Sequence, residues 1–133
     1  MSTLVRVMSR YLKKTKSGTS VEETAKRLRQ DRVGALLVEK NGEFIGLVTE
    51  KDVVEKAVAG GKEFSKTPVD SIMTSPLNSI DTTNTLSDAL EMMAQLQVRH
   101  LVVREEERVV GIVTLRDLFV YFEWLYEQKR APL

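Results

Sequence analysis

The chain has 133 residues, a formal net charge of +1, no cysteine and a single histidine, His100. That length suits one compact domain. The missing cysteines exclude disulfides and Cys-ligated zinc, and one histidine excludes a multi-histidine metal site. No apolar run approaches the length of a membrane helix, and no long apolar region follows Arg6 as it would in a signal peptide. A cytoplasmic setting is therefore expected. Charge is uneven: residues 1–67 carry 14 Lys+Arg and 9 Asp+Glu, net +5, and residues 68–133 carry 6 and 10, net −4. The basic half could face an anion, a nucleic acid or the acidic half of another copy, or it could be an ordinary solvated surface.

The chain repeats itself. Sliding residues 5–54 onto 70–119, an ungapped offset of 65, gives ten identities. They include Met8/Met73, Leu36/Leu101, Gly46/Gly111, Thr49/Thr114 and Asp52/Asp117. A repeat of this period is a structural unit, and one copy alone would be marginal in stability. Two domains follow, 1–62 and 63–133, burying their faces against each other.

Val5 to Ser9 reads as a short entry strand or extended arm, copied at Asp70 to Thr74. Arg10 to Gly18 is polar and basic, closing on a Ser17-Gly18 turn. Ser20 with Glu23 forms a capping box that opens a helix to about Arg32, with Val21, Ala25 and Leu28 inward. Val33 to Val38 is a buried strand, Asn41-Gly42 a hairpin turn and Phe44 to Val48 the return strand. A second helix spans about Glu50–Ala59, stopped by Gly60-Gly61, and Gly60 to Pro68 links the repeats.

In the second copy the cap is Thr85 to Asp88, with Leu86, Ala89, Leu90 and Met93 inward. The strands are Leu101–Val103 and Val109–Val113. Their turn, Glu105 to Glu107, has lost the glycine, which predicts a different turn type and a solvated acidic tip rather than a metal site. The last helix runs from Leu115 to about Lys129, stopping before Pro132. It holds Phe119, Tyr121, Phe122, Trp124 and Tyr126 on more than one face. A helix apolar on several faces is covered on several sides, here by its own domain and a second copy, or by wrapping back over its own core. The class is α+β, with each repeat βαββα in order.

The repeated Gly-x-x-Thr-x-x-Asp stands where a strand turns into a helix. The glycine lets a ligand approach the backbone closely. The threonine sits at a helix N-terminus, whose free N–H groups favour an anion such as phosphate. A carboxylate one turn on accepts the two hydroxyls of a ribose. Thr-x-x-Asp is equally a capping box, so spacing leaves cap and ribonucleotide site both open.

These residues resemble a pair of CBS domains, the tandem unit called a Bateman module. The resemblance covers about residues 5–122. It is carried by Ile72-Met73-Thr74, by Val98-Arg99-His100-Leu101-Val102-Val103 and by Gly111-Ile112-Val113-Thr114-Leu115-Arg116-Asp117, with Val7-Met8-Ser9, Val33–Val38 and Gly46 to Asp52 in the first copy. It implies two repeats packed about a pseudo-twofold axis, with clefts between them that bind AMP, ADP or ATP, or S-adenosylmethionine. By that resemblance Asp52 and Asp117 hold ribose, Thr49 and Thr114 meet phosphate, and Leu47 and Ile112 flank the nucleoside beside Gly46 and Gly111. The segments around Ser9, Arg10 and Leu12 and around Thr74, Leu77 and Asn78 line the adenine. Arg99 and His100 reach phosphate, and Lys51, Arg116 and Arg10 add charge. Gly34-Ala35 replace Arg99-His100 in the first copy, so the two clefts are expected to be unequal.

The resemblance implies a non-catalytic regulatory module, with no cofactor, catalytic residue or metal, acting as a homodimer through the second helices and read by an effector protein. The rival readings are a dimerisation module with inactive clefts and a nucleic-acid binder using the basic half. An enzyme is disfavoured, because no nucleophile is paired with a base.

Overall fold

A computed structural model describes residues 3–129, so the expected helix stop before Pro132 lies outside the described residues. The elements are α1 (Thr3–Val7), β1 (Lys14–Lys16), α2 (Val21–Asp31), β2 (Ala35–Lys40), β3 (Glu43–Thr49) and α3 (Glu50–Asp52, continuing as a π-helical stretch Val53–Val58). A 3₁₀ turn, Val69–Ser71, leads to β4 (Ser79–Asp81), α4 (Leu86–Leu96), β5 (His100–Glu105), β6 (Arg108–Thr114) and α5 (Leu115–Lys129). There are two three-stranded sheets, β1-β2-β3 and β4-β5-β6. In each, the first strand is parallel to the middle one and the hairpin is antiparallel. The βαββα order holds, but its first strand is not the entry segment.

That strand, β1, falls in the stretch expected to be a polar loop. Lys14 and Lys16 point outward and only Thr15 is buried, so one inward threonine carries the strand signal. In β4 the inward residue is Ile80. The entry segment is helical instead. Leu4 and Met8, four apart, share one helix face and are both buried, and the Met8 amide donates to the Leu4 carbonyl at 3.0 Å. Its counterpart buries Val69 and Ile72, three apart, in the 3₁₀ turn.

The chain divides into two compact units, Leu12–Asn78 and the segment through Tyr11 together with the chain from Ser79 onward. These units do not coincide with the sequence repeats 1–62 and 63–133, because each entry segment joins the other repeat's sheet. Ser9 bridges Ile112, and Thr74 bridges Leu47. The linker stays with Leu12–Asn78: the Val21 amide donates to Thr67 O and the Val69 amide to Thr19 O, at 2.8 and 2.7 Å.

Each unit has its own core. In Leu12–Asn78 it joins Val21 and Leu28 of α2 to Leu36, Val38 and Val48 of the sheet, with Ala57 and Ile72 closing it. In the other, Leu86, Ala89 and Met93 of α4 meet Leu101, Val103 and Val113, closed by Leu4 and Leu118. Thr24, rather than Ala25, completes the buried stripe of α2, its hydroxyl donating to Ser20 O at 2.8 Å. Leu90, expected inward, is 41% exposed.

Both hairpins turn in two residues. Asn41-Gly42 has φ of 53° and 81°, and Glu106-Glu107 has 48° and 68°. The expectation of a different second turn is therefore overturned. Positive φ at both central residues is the handedness that a two-residue hairpin between twisted strands favours, and two glutamates adopt it without a glycine. The Arg104 guanidinium donates to the Glu107 carbonyl at 2.9 Å across this turn.

Candidate functional site

Each strand-to-helix junction forms a complete capping box. Thr49 Oγ1 accepts from the Asp52 amide at 3.2 Å, and Asp52 Oδ2 accepts from the Thr49 amide at 3.0 Å. Thr114 and Asp117 repeat this at 3.0 and 2.9 Å. The cap half of the motif's double meaning is thus realised twice. Other first-turn donors are also engaged: the Glu50 amide donates to Gly34 O at 3.0 Å and the Leu115 amide to Arg99 O at 2.9 Å. This leaves the Arg116 amide as a first-turn donor of α5 for an anion.

The glycines serve the chain itself. A Cβ on Gly111 would stand 2.5 Å from Met8 Sδ and 2.9 Å from Ser9 O, and one on Gly46 2.5 Å from Met73 Sδ and 3.0 Å from Thr74 O. The close approach that glycine permits is made by the entry segment, not by open space for a ligand. Gly46 and Gly111 thus have a packing role within the chain. This packing also explains why Met8/Met73 and Gly46/Gly111 are repeated together.

The second junction gathers Ser9, Arg99, His100, Ile112, Thr114, Arg116 and Asp117 in one unit. Ser9 and Ile112 exchange backbone hydrogen bonds at 2.8 and 2.9 Å. His100 is paired in register with Thr114, and directly opposed residues present their side chains on the same sheet face. Asp117 and Ile112 are half-buried, while Arg10, Arg99 and Arg116 are exposed.

The first junction gathers Thr74, Leu47, Thr49, Lys51 and Asp52 in the other unit. Leu47 and Thr74 exchange hydrogen bonds at 3.0 and 2.8 Å. Ala35 stands in register with Thr49, where the other unit has His100 with Thr114. Lys51 Nζ lies 3.9 Å from Glu55. Leu12, Leu77 and Asn78 are half-buried in this unit, with no junction hydrogen bond among the described residues.

Two features escaped the sequence reading. Lys56 Nζ pairs with Asp52 Oδ1 at 3.0 Å and donates to Ile72 O at 3.1 Å. Its i, i+4 spacing from Asp52 was the available signal. Asp70 accepts from the Ser17 hydroxyl and from the Gly18 amide, the latter at 2.7 Å. Partial burial opposes its ionisation, yet these hydrogen bonds and the Lys40 charge hold the Asp70 carboxyl below the ordinary 3.8. Nothing local in the sequence signals a contact across that many residues.

A CBS-domain model matches residues 4–59 and 69–123. The chain belongs to the CBS-domain family. It is similar to the CBS domain-containing protein YhcV of Bacillus subtilis, with 32% identity over 120 residues that cover 90% of this chain and 85% of that one. Among solved structures it resembles an uncharacterized conserved protein from Pyrococcus horikoshii (28% identity, TM-score 0.83, covering 99% and 96% of the two chains). It also shares its fold with a hexameric CBS-CP12 protein from bloom-forming cyanobacteria (23% identity, TM-score 0.80, covering 94% and 73%).

The CBS repeats differ in surface charge at matched positions. Lys14, Lys16, Lys26 and Arg27 line a groove of about 430 Å³ beside α2, with Thr19, Gln30, Glu23 and Glu39. At the same offset the second repeat has Ser79, Asp81, Glu91 and Met92. Three of the four cations are already paired: Lys14 with Glu39 at 3.0 Å, Lys26 with Glu22 at 3.5 Å and Arg27 with Asp31 at 2.7 Å. On α5, Tyr121 and Phe122 pack on the core, and Phe119, Trp124 and Tyr126 remain 65%, 54% and 66% exposed. Among the described residues no helix is long and apolar enough to cross a membrane.

Proposed function

We propose that this CBS pair is a non-catalytic regulatory sensor that binds an adenine nucleotide at the junction opening α5. Asp117 uses its outer oxygen, Oδ1, to accept ribose hydroxyls while Oδ2 keeps the cap. Thr114 donates its hydroxyl, and the Arg116 amide its N–H, to phosphate, with Arg99, His100 and Arg116 supplying side-chain donors. Ile112 and Ser9 flank the nucleoside, and Arg10 lies on the same segment. The observation that carries this reading is that His100 and Thr114 stand in register on one sheet face while the half-buried Asp117 caps Thr114. AMP, ADP, ATP and S-adenosylmethionine are the ligand candidates. The protein acts through a second copy and an effector protein: Val54 and Phe119, matched across the repeats, are both exposed, and the cyanobacterial relative in fold is a hexamer.

One rival has an observation of its own. The doubled capping boxes account for Thr-x-x-Asp without a ligand, which favours a dimerisation module with inactive sites. The basic groove offers nucleic acid a weaker case, since three of its four cations are paired and no aromatic residue among the described residues lines it. Calorimetric titration of the native chain, Asp117→Ala and Asp52→Ala with each nucleotide separates the first two. The sensor binds at micromolar affinity and Asp117→Ala weakens it at least tenfold, about 1.4 kcal/mol. Absence of binding in the native chain, with both variants merely melting earlier, rejects the sensor.

A further inference from the structure

The two aspartates of the repeated motif meet different neighbours one helical turn on. Four residues after Asp52 stands Lys56, and four after Asp117 stands Tyr121. Asp52 is 7% exposed and both its oxygens are held, Oδ2 by the Thr49 amide and Oδ1 by Lys56. Lys56 is itself held from a second side by the Ile72 carbonyl, so its ammonium ties α3 to the entry segment that carries Thr74. Tyr121 instead turns to its core, with its ring centroid 6.0 Å from that of Phe122.

We infer that Lys56 is an internal latch that closes the first junction, so that the chain takes one nucleotide, at the second. This rests on the nucleotide reading above and adds the residue that decides which junction is open. A ribose diol needs a carboxylate with an accessible oxygen. At Asp52 the diol would have to displace an ammonium at hydrogen-bond distance from a buried carboxylate. The diol would have to replace a charge-assisted contact to a carboxylate that is only 7% exposed. Lys56 is likewise engaged by Asp52 and Ile72, which weakens its offer to a phosphate. Gly34 and Ala35 bring no side-chain donor in exchange. At Asp117, among the described residues, the same oxygen has no ion pair.

The test is calorimetric stoichiometry with AMP, ADP and ATP on the native chain, on Lys56→Tyr and on Lys56→Gln. Tyr reproduces the second repeat; Gln removes the charge but keeps a donor for Ile72. The Lys56 side chain is half exposed, and a thermal melt checks that each variant is folded before titration. The expected result is one equivalent for the native chain and a second equivalent in both variants, abolished again by adding Asp52→Asn. Two equivalents in the native chain, or one equivalent throughout, overturn the latch while the sensor stands. No binding in any of the three overturns both. Binding to the Lys56 variants alone supports the latch and rejects the second junction as the native site.

Discussion

The two junctions share their capping geometry, and three of the matched positions at which they differ bear most on what each presents: Gly34/Arg99, Ala35/His100 and Lys56/Tyr121. Both have the capping box, the glycine under a methionine and the bridge from the entry segment. The first then places Lys56 on its aspartate and Gly34-Ala35 beside its threonine. The second has Arg99-His100 at the latter positions and, in place of the lysine, Tyr121, which turns to its core. The capping boxes and the glycine–methionine packing are repeated, and the side chains set around them are not. In this duplicated fold the common part reports architecture, and on the nucleotide reading proposed above the asymmetry is what makes the two junctions unequal.

The comparison can be broken first at its glycines. Gly46→Ala and Gly111→Ala place a Cβ within 3.0 Å of a backbone carbonyl as well as of a methionine sulfur. The sulfur can swing away and the carbonyl cannot, so overpacking of about 1–3 kcal/mol is expected at both sites. Chemical denaturation measures the loss. Hydrogen exchange should show faster opening at Thr74 and Leu47 for the first variant and at Ser9 and Ile112 for the second. Equal, unperturbed exchange would mean that the entry segments are not held through these glycines.

Asp70 sharpens the comparison, because the second repeat's sheet has Val5 at the matching place. The folded carboxyl titrates below 3.8. Its stabilising contribution is therefore in place above that pH and is lost as the pH falls through the lower folded value. Asp70→Asn should cost about 1 kcal/mol near neutral pH. The gap between native and variant melting temperatures should close on acidification through that range. A gap that persists in strong acid would contradict the clasp.

The smallest effect is expected at the turns. Replacing Glu106-Glu107 by Asn-Gly copies the first hairpin onto the second. It relieves two left-handed glutamates and should stabilise the chain by about 0.5–1 kcal/mol, read as a raised midpoint in urea. A lowered midpoint would show that the Arg104 contact to Glu107 depends on the glutamate backbone as it stands.

Much of this architecture was legible in the residues. The offset of 65 located both hairpins, both caps and the start of α5, because buried strands and Ser/Thr caps leave strong local patterns. β1 was not legible, since one inward threonine between two lysines gives no apolar alternation. The exchange of entry segments was not legible either, because Met8 and Met73 sit equally well against either glycine in a repeat; only the folded pairing assigns them. At the candidate site, Thr114 and Asp117 were evident from the motif. Their engagement as caps was one of its two open meanings. Lys56 went unread because the resemblance drew attention to residues that the repeats share.

The central claim is that the junctions are unequal and that α5 opens the ligand site. Amide chemical-shift mapping of the labelled native chain during titration with AMP, ADP and ATP tests it most directly. The account predicts shifts concentrated at Ser9, His100 and Ile112 to Asp117, with Leu47 to Asp52, Thr74 and the Lys14–Lys16 strand unmoved. Equal shifts at both junctions, or shifts confined to the basic groove beside α2, would contradict it.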